Sequence, residues 1–165
     1  MKRVGQHLEE FALDSKDDEL IDLFGRSAFN RYYYACFLAT RTMLGELQPS
    51  LKGTSHAGIP GLLVTTILKK PTASLKRMEQ QGIDTGKCRR YRQELQAATK
   101  GLAELLKLAY DARLISDYSP EEPIQKNGNV ISLRNNKLNE AKGWLDRTNS
   151  YIKTIKKVWK ESGLV

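Results

Sequence analysis

Arg113 and Asp117 stand four residues apart, with Tyr118 next to the carboxylate. Residues four apart share one face of a helix, so guanidinium and carboxylate come within reach of each other. Two chemistries fit the pair. One is an ordinary ion pair that closes a helix end. The other is a phosphate-binding arginine beside a group that can take a proton, with a tyrosine hydroxyl at hand. The residues alone leave both open. Arg31 is a second arginine in an unusual place. It falls on the stripe of Ala28, Ala35 and Leu38, which is expected to face the core. A guanidinium there is costly unless paired. It reads either as structural, with a carboxylate partner or a tip reaching the surface, or as lining an inner cleft or an interface. His56, between Ser55 and Ala57, stands at an expected helix start, where it could cap, meet an anion or face solvent.

Basic residues gather twice. Lys87, Arg89, Arg90 and Arg92 form one group, with Lys76 and Arg77 nearby; Lys153, Lys156, Lys157 and Lys160 form the other. Contacts from such groups to phosphate are blind to sequence and sensitive to salt. Tyr91 interleaves the first group, but it also heads an apolar stripe and is counted as core. The net charge of +8 is uneven: residues 1–50 hold six Lys/Arg against eight Asp/Glu, and the remainder carries the whole positive excess. That asymmetry favours a polyanionic partner, most often nucleic acid, or an acidic protein.

Other chemistries lack their residues. A zinc site needs clustered His, Cys or carboxylate ligands, whereas His7, Cys36, His56 and Cys88 each stand alone. Gly58 and Gly61 are followed by no Lys-Ser/Thr pair, so there is no phosphate loop. No nucleophile triad is visible. Neither metal nor cofactor is expected. Cys36 and Cys88 read as reduced thiols. The stretch Met1 to His7 is charged with no apolar run behind it, unlike a signal peptide, and the longest apolar run, Tyr32 to Ala39, falls far short of a membrane span. A cytoplasmic protein without membrane contact is expected.

The elements that must hold these residues are helical. Acidic residues from Asp14 open a helix that stays compatible from Leu20 to about Leu44, with apolar residues at 20, 24, 28, 35 and 38. Gly45 and Pro49 punctuate its end. Thr54 or Ser55 can cap a helix through Leu62–Leu68 that carries Pro60 in its first turn and stops before Pro71. Its β-branched residues leave a strand as the alternative. Residues 72–86 read as a short helix and loop. Tyr91, Leu95, Ala98, Leu102, Leu105, Ala109 and Ala112 mark the clearest helix, 91–116. Leu138, Ala141, Leu145, Thr148, Ile152, Ile155 and Trp159 mark the last. Between them, Asn127-Gly128 suits either a hairpin joining Ile124-Gln125 to Val130-Ile131 or an irregular loop. The fold class is all-α: one domain over 1–165, an antiparallel up-and-down bundle of four to five helices with a possible β-hairpin before the last.

The run Asn30-Arg31-Tyr32-Tyr33-Tyr34-Ala35-Cys36-Phe37 resembles the Arg-x-Tyr-Tyr-Ala-x-Phe signature of HEPN-domain proteins, in particular the small stand-alone ones of bacteria and archaea. Thr54 to Gly58, Arg113 to Tyr118 and Ala141 to Ile155 resemble further segments of that group in order, so the likeness covers about residues 20–160. It implies a four- or five-helix bundle that forms homodimers, an RNA partner, and a role in toxin–antitoxin pairs or antiphage defence. A cognate nucleotidyltransferase or another antitoxin protein is the implied protein partner. Many members are metal-independent endoribonucleases using an Arg followed after four to six residues by a His. Here the corresponding positions are Tyr118, Ser119 and Pro120. A histidine moves protons near neutral pH; a carboxyl group, ordinarily near pKa 4, accepts a proton but donates poorly. The resemblance therefore implies an RNA- or nucleotide-associated dimer with weak or absent nuclease activity. The alternatives are an active endoribonuclease using Arg113, Asp117 and Tyr118, and a structural partner of a nucleotidyltransferase that never touches RNA. The nucleic-acid contacts it suggests are Arg31, His56, Lys87, Arg89, Arg90 and Arg92.

Overall fold

The computed structural model describes all residues from Met1 to Val165. The fold is an all-α bundle with one small antiparallel sheet. Its elements are α1 (Lys2–Asp14), α2 (Asp18–Leu47), α3 (Gly58–Leu62), α4 (Leu68–Gln80), α5 (Thr85–Tyr118), β1 (Gln125–Asn127), β2 (Val130–Leu133), β3 (Asn136–Lys137), α6 (Leu138–Ala141) and α7 (Trp144–Glu161). Two compact units emerge, each drawn from two stretches of chain: residues 1–38 with 106–146, and residues 39–105 with 147–165.

In the first unit, α1 has no counterpart among the sequence expectations. Its inward positions are Gly5, Glu9 and Ala12, too small or too polar to announce an apolar face. Gly5 admits the Tyr32 ring so closely that a Cβ would lie 2.8 Å from it. The Tyr32 hydroxyl donates to the buried Glu9 carboxylate at 2.6 Å. Burial and this neighbouring carboxylate push the Tyr32 hydroxyl well above its ordinary range, so it stays protonated and keeps donating.

The inward stripe of α2 differs from the expected one. Ile21, Gly25, Ala28, Phe29, Tyr32, Tyr33 and Cys36 are buried, whereas Leu20, Leu23 and Arg31 are exposed. Ala28 and Ala35 of the expected stripe are buried, but the face is centred on Ile21, Gly25, Phe29, Tyr32 and Cys36, and one residue turns a helix face by about 100°. Arg31 is therefore a surface residue, not an inner one. The inner arginine of α2 is Arg26, whose side chain is only 14% exposed. Its Nε donates to Asp22 Oδ2 at 2.6 Å, its Nη1 reaches the carbonyls of Ile115, Ser116 and Ser119 at 3.1–3.4 Å, and its Nη2 donates to the Glu122 carbonyl. The last carbonyls of a helix have no partner within it, and α5 has no basic residue in its last turn. Arg26 supplies the missing donors. Lys126 does the same for α1, donating to the Leu13 and Ser15 carbonyls.

The sheet of this unit has order β1-β2-β3, with Asn127 opposite Val130 and Leu133 opposite Asn136. The first turn is thus Gly128-Asn129, one residue on from the Asn-Gly pair. Gly128 has φ +59° while Asn129 stays negative, the arrangement of a hairpin with glycine first in the turn. Between the alternatives of hairpin and loop, the hairpin forms. Ile131 and Leu133 point into the core with Leu138 and Trp144, whose ring lies 6.4 Å from Phe29.

In the second unit the α5 stripe is as read from sequence: Tyr91, Leu95, Ala98, Leu102 and Leu105 are all buried, and Ala109 and Ala112 continue it in the first unit. Neither Thr54 nor Ser55 caps α3; Ala57 holds the cap position without a side-chain bond, and Thr54 bonds back to the Leu51 carbonyl instead. The β-branched stretch Leu63–Ile67 forms a wide π-type turn within a helical run. The run does not stop before Pro71 but passes through it to Gln80. Proline has no N–H for the carbonyl four residues back, which is that of Ile67. The buried Trp159 indole N–H donates to this carbonyl at 3.1 Å. A side chain distant in sequence thus takes the place of the missing backbone donor.

Candidate functional site

Two places hold the residues that could do chemistry, one in each unit.

In the first unit, near the C-terminus of α5, Arg113 Nε lies 2.8 Å from Asp117 Oδ2, with the two side chains 17% and 25% exposed. Nε nevertheless lacks a hydrogen bond of good geometry, so the contact is ionic rather than directed. The other carboxylate oxygen, Oδ1, accepts from Asn30 Nδ2 at 2.8 Å. The Arg113 guanidinium sits 5.2 Å from the centre of the Tyr118 ring. Burial opposes its charge, but the Tyr118 hydroxyl and the Asp117 carboxylate outweigh this, and its pKa is raised. Arg113 is a fixed cation with no role as a proton donor. Both Asp117 oxygens have a partner within the protein, Asn30 on one and Arg113 on the other. Tyr118 is 68% exposed.

The concavity beside Asp117, about 340 Å³, is mixed in sign. Glu19, Asp22 and Asp117 line it against Arg26 and Arg31, and Arg113 is not on its wall. Arg26 is already committed to carbonyls and to Asp22. Three carboxylates around one unpaired guanidinium make a poor seat for a phosphate. The structure brings Arg113, Asp117 and Tyr118 together as read from sequence; Arg31 lies along the same wall, on the solvent side.

The second unit holds the basic groups. Lys87 pairs with Glu161 at 3.0 Å, Arg90 with Glu94 at 3.6 Å, and Arg92 makes a bidentate pair with Glu79 at 2.5 and 3.0 Å. Lys157 also meets Glu94 at 3.0 Å, and Lys156 pairs with Glu46. Lys87, Arg90 and Lys157 crowd the Tyr91 ring at 5.1–5.5 Å, and the Tyr91 hydroxyl donates to Glu161 at 3.0 Å. Most of the expected patch is therefore tied into its own carboxylates. His56 is half-buried in the turn before α3.

Arg89 has no carboxylate partner, and neither have Lys76, Arg77, Lys153 and Lys160. Arg89 opens into a groove of about 540 Å³ between α4 and α5, lined also by Lys69, Lys76, Arg92, Gln93 and Gln96. No carboxylate lines it. Lys69, Lys76 and Arg89 are exposed and enter no ion pair. Lys69, Gln93 and Gln96 are absent from the sequence reading. The signal for Lys69 and Lys76 is their spacing of seven, two helical turns, which puts them on one face. It is legible only if the helix is allowed through Pro71.

No group of three or more His, Cys, Asp and Glu side chains could hold a metal ion, and no helix is long and apolar enough to cross a membrane. No family model matches the chain, and no curated protein or solved structure matches it either.

Proposed function

We propose that this chain binds RNA through the phosphate backbone, in the groove between α4 and α5, and does not itself cleave it. The observation that carries this reading is the groove's lining: Lys69, Lys76 and Arg89 without internal partners, and no carboxylate among them. The RNA partner is the one the HEPN-like aromatic run implies, and of the contacts expected for it this reading keeps Arg89 and adds Lys69 and Lys76. Against cleavage stand the fixed charge of Arg113, which does not donate a proton, and the Tyr118, Ser119 and Pro120 that occupy the positions where the resemblance expects a histidine.

Fluorescence anisotropy with labelled RNA tests the reading. Three phosphate contacts give a slope of log K against log salt of about −2.1 to −2.7, so affinity falls about 20- to 40-fold between roughly 50 and 200 mM salt. Reversing charge in the pair Lys76→Glu and Arg89→Glu removes the binding. RNA incubated with the protein in a chelator stays intact. Cleavage that disappears on Arg113→Ala would establish the endoribonuclease alternative instead.

A further inference from the structure

Resting on that reading, we infer that the groove takes the sugar-phosphate face of base-paired RNA rather than a single strand. Proteins that hold single strands stack splayed bases on aromatic rings. No aromatic side chain lines this groove. The aromatic nearest in sequence, Tyr91, is buried, with its hydroxyl bonded to Glu161 and its ring hemmed in by Lys87, Arg90 and Lys157. The walls offer a base no aromatic face; their planar groups are the Arg89 and Arg92 guanidiniums, and Arg92 is held in its bidentate pair with Glu79.

What the groove does offer suits a backbone of regular geometry. Lys69 and Lys76 lie two turns apart on α4, about 10 Å along its axis. Arg89, Gln93 and Gln96 lie on α5 with the spacing of one face. Both walls are helices, so the donors are held at fixed separations rather than on loops that could follow a flexible strand. The Gln93 and Gln96 side chains are exposed and form no hydrogen bond within the chain. Each amide carries both donors and an acceptor, which matches the 2′-hydroxyl, itself donor and acceptor. The wide, shallow minor groove of an A-form duplex displays those hydroxyls between two phosphate strands. Lys69, Lys76 and Arg89 hold the phosphates; Gln93 and Gln96 meet the ribose hydroxyls. This arrangement distinguishes RNA from DNA without reading sequence.

Three labelled probes of equal length decide it: a blunt RNA duplex, a DNA duplex of the same sequence, and oligouridine. The RNA duplex binds at least about tenfold more tightly than either of the others, the scale of one good polar contact set. Gln93→Ala combined with Gln96→Ala brings the RNA-to-DNA preference close to one while leaving the salt slope unchanged, and unaltered thermal melting shows that the variant is folded. Oligouridine binding as tightly as the RNA duplex overturns the inference, and so does a double variant that keeps the RNA-over-DNA preference; RNA binding itself survives both results. Binding to none of the probes overturns the RNA reading as well.

Discussion

The cations of the two units are used in opposite ways. In the first unit, Arg26 and Lys126 are spent on backbone carbonyls and Arg113 on a carboxylate. In the second, Arg92 and Lys87 are paired, but Lys69, Lys76 and Arg89 face a groove with nothing of opposite sign on its walls. Arg113, whose spacing from Asp117 drew most notice, is held in an internal ion pair. Arg89 and Lys76 shared a basic cluster with Lys87, Arg90 and Arg92, and only the structure separates them from these paired neighbours. What separates a structural cation from a binding one is the inventory of partners around it, and spacing along the chain does not report that inventory.

If the comparison is right, Arg26→Ala is the costliest single change among these cations. It strips donors from the end of α5: the Ser116 and Glu122 carbonyls lose their donor, while those of Ile115 and Ser119 keep the backbone N–H groups of Ser119 and Glu122. Hydrogen bonds to a charged group contribute about 1.5–3 kcal/mol each, and partial rehydration limits the total, so a loss of about 3 kcal/mol is expected in urea unfolding. RNA affinity of the folded variant stays unchanged. The same locus sets an acid limit. Burial pushes the Asp22 carboxyl up, but the Arg26 guanidinium and the Ile124 backbone N–H hold it below its ordinary value of 3.8. A lowered folded pKa adds stability that is present above the unfolded value and lost as pH falls through the folded one. Wild-type stability therefore drops below about pH 4, and the Asp22 part of that drop shrinks in Arg26→Ala. A variant that lost RNA binding in proportion to its stability would erase the contrast between the units.

The second unit also has a point where stability is concentrated, and it is neutral. Trp159→Phe keeps the aromatic bulk but orphans the buried Ile67 carbonyl, for an expected loss of about 2 kcal/mol. Pro71→Ala restores a backbone N–H four residues on. In that background Trp159→Phe should cost measurably less, a coupling that a double-mutant cycle in urea reads directly. Equal costs in both backgrounds would mean that the indole bond does not replace the proline's missing donor.

The same residues explain how much could be read beforehand. The α5 stripe from Tyr91 to Ala112 was legible because large and small apolar residues recur without interruption. The Arg113–Asp117–Tyr118 grouping was legible from its spacing of four, whereas the Asn-Gly pair left hairpin and loop equally open. Helix α1 was not legible, because it buries Gly5, Glu9 and Ala12 against a tyrosine rather than an apolar ridge. The face of α2 was only partly legible: Ala28 and Ala35 are buried as expected, but Leu20 is apolar yet exposed, and Arg31 turns outward with it. The Asp22–Arg26 spacing of four was visible, but its carbonyl partners lie about ninety residues away. The groove was hidden for a further reason. Pro71 reads as a helix stop, but α4 passes through it, with the remote Trp159 indole on the Ile67 carbonyl, and brings Lys69 and Lys76 onto one wall.

The smallest expected effect is the sharpest test of that contrast. Lys76→Ala and Arg89→Ala remove exposed cations that hold nothing in place, so each should change stability by no more than about 0.5 kcal/mol. Its sign is also expected. The chain carries a net charge of +8, and neither side chain has an anionic partner, so removing one relieves repulsion within the folded state. A slight stabilisation at low salt should fade at high salt as screening takes over. Arg26→Ala shows the reverse sign, and its cost persists in salt because its bonds are largely shielded from solvent. Urea unfolding of the three variants at low and high salt separates the two uses of charge. A salt-resistant loss of stability in Lys76→Ala or Arg89→Ala would mean that the groove, too, is held together by its cations.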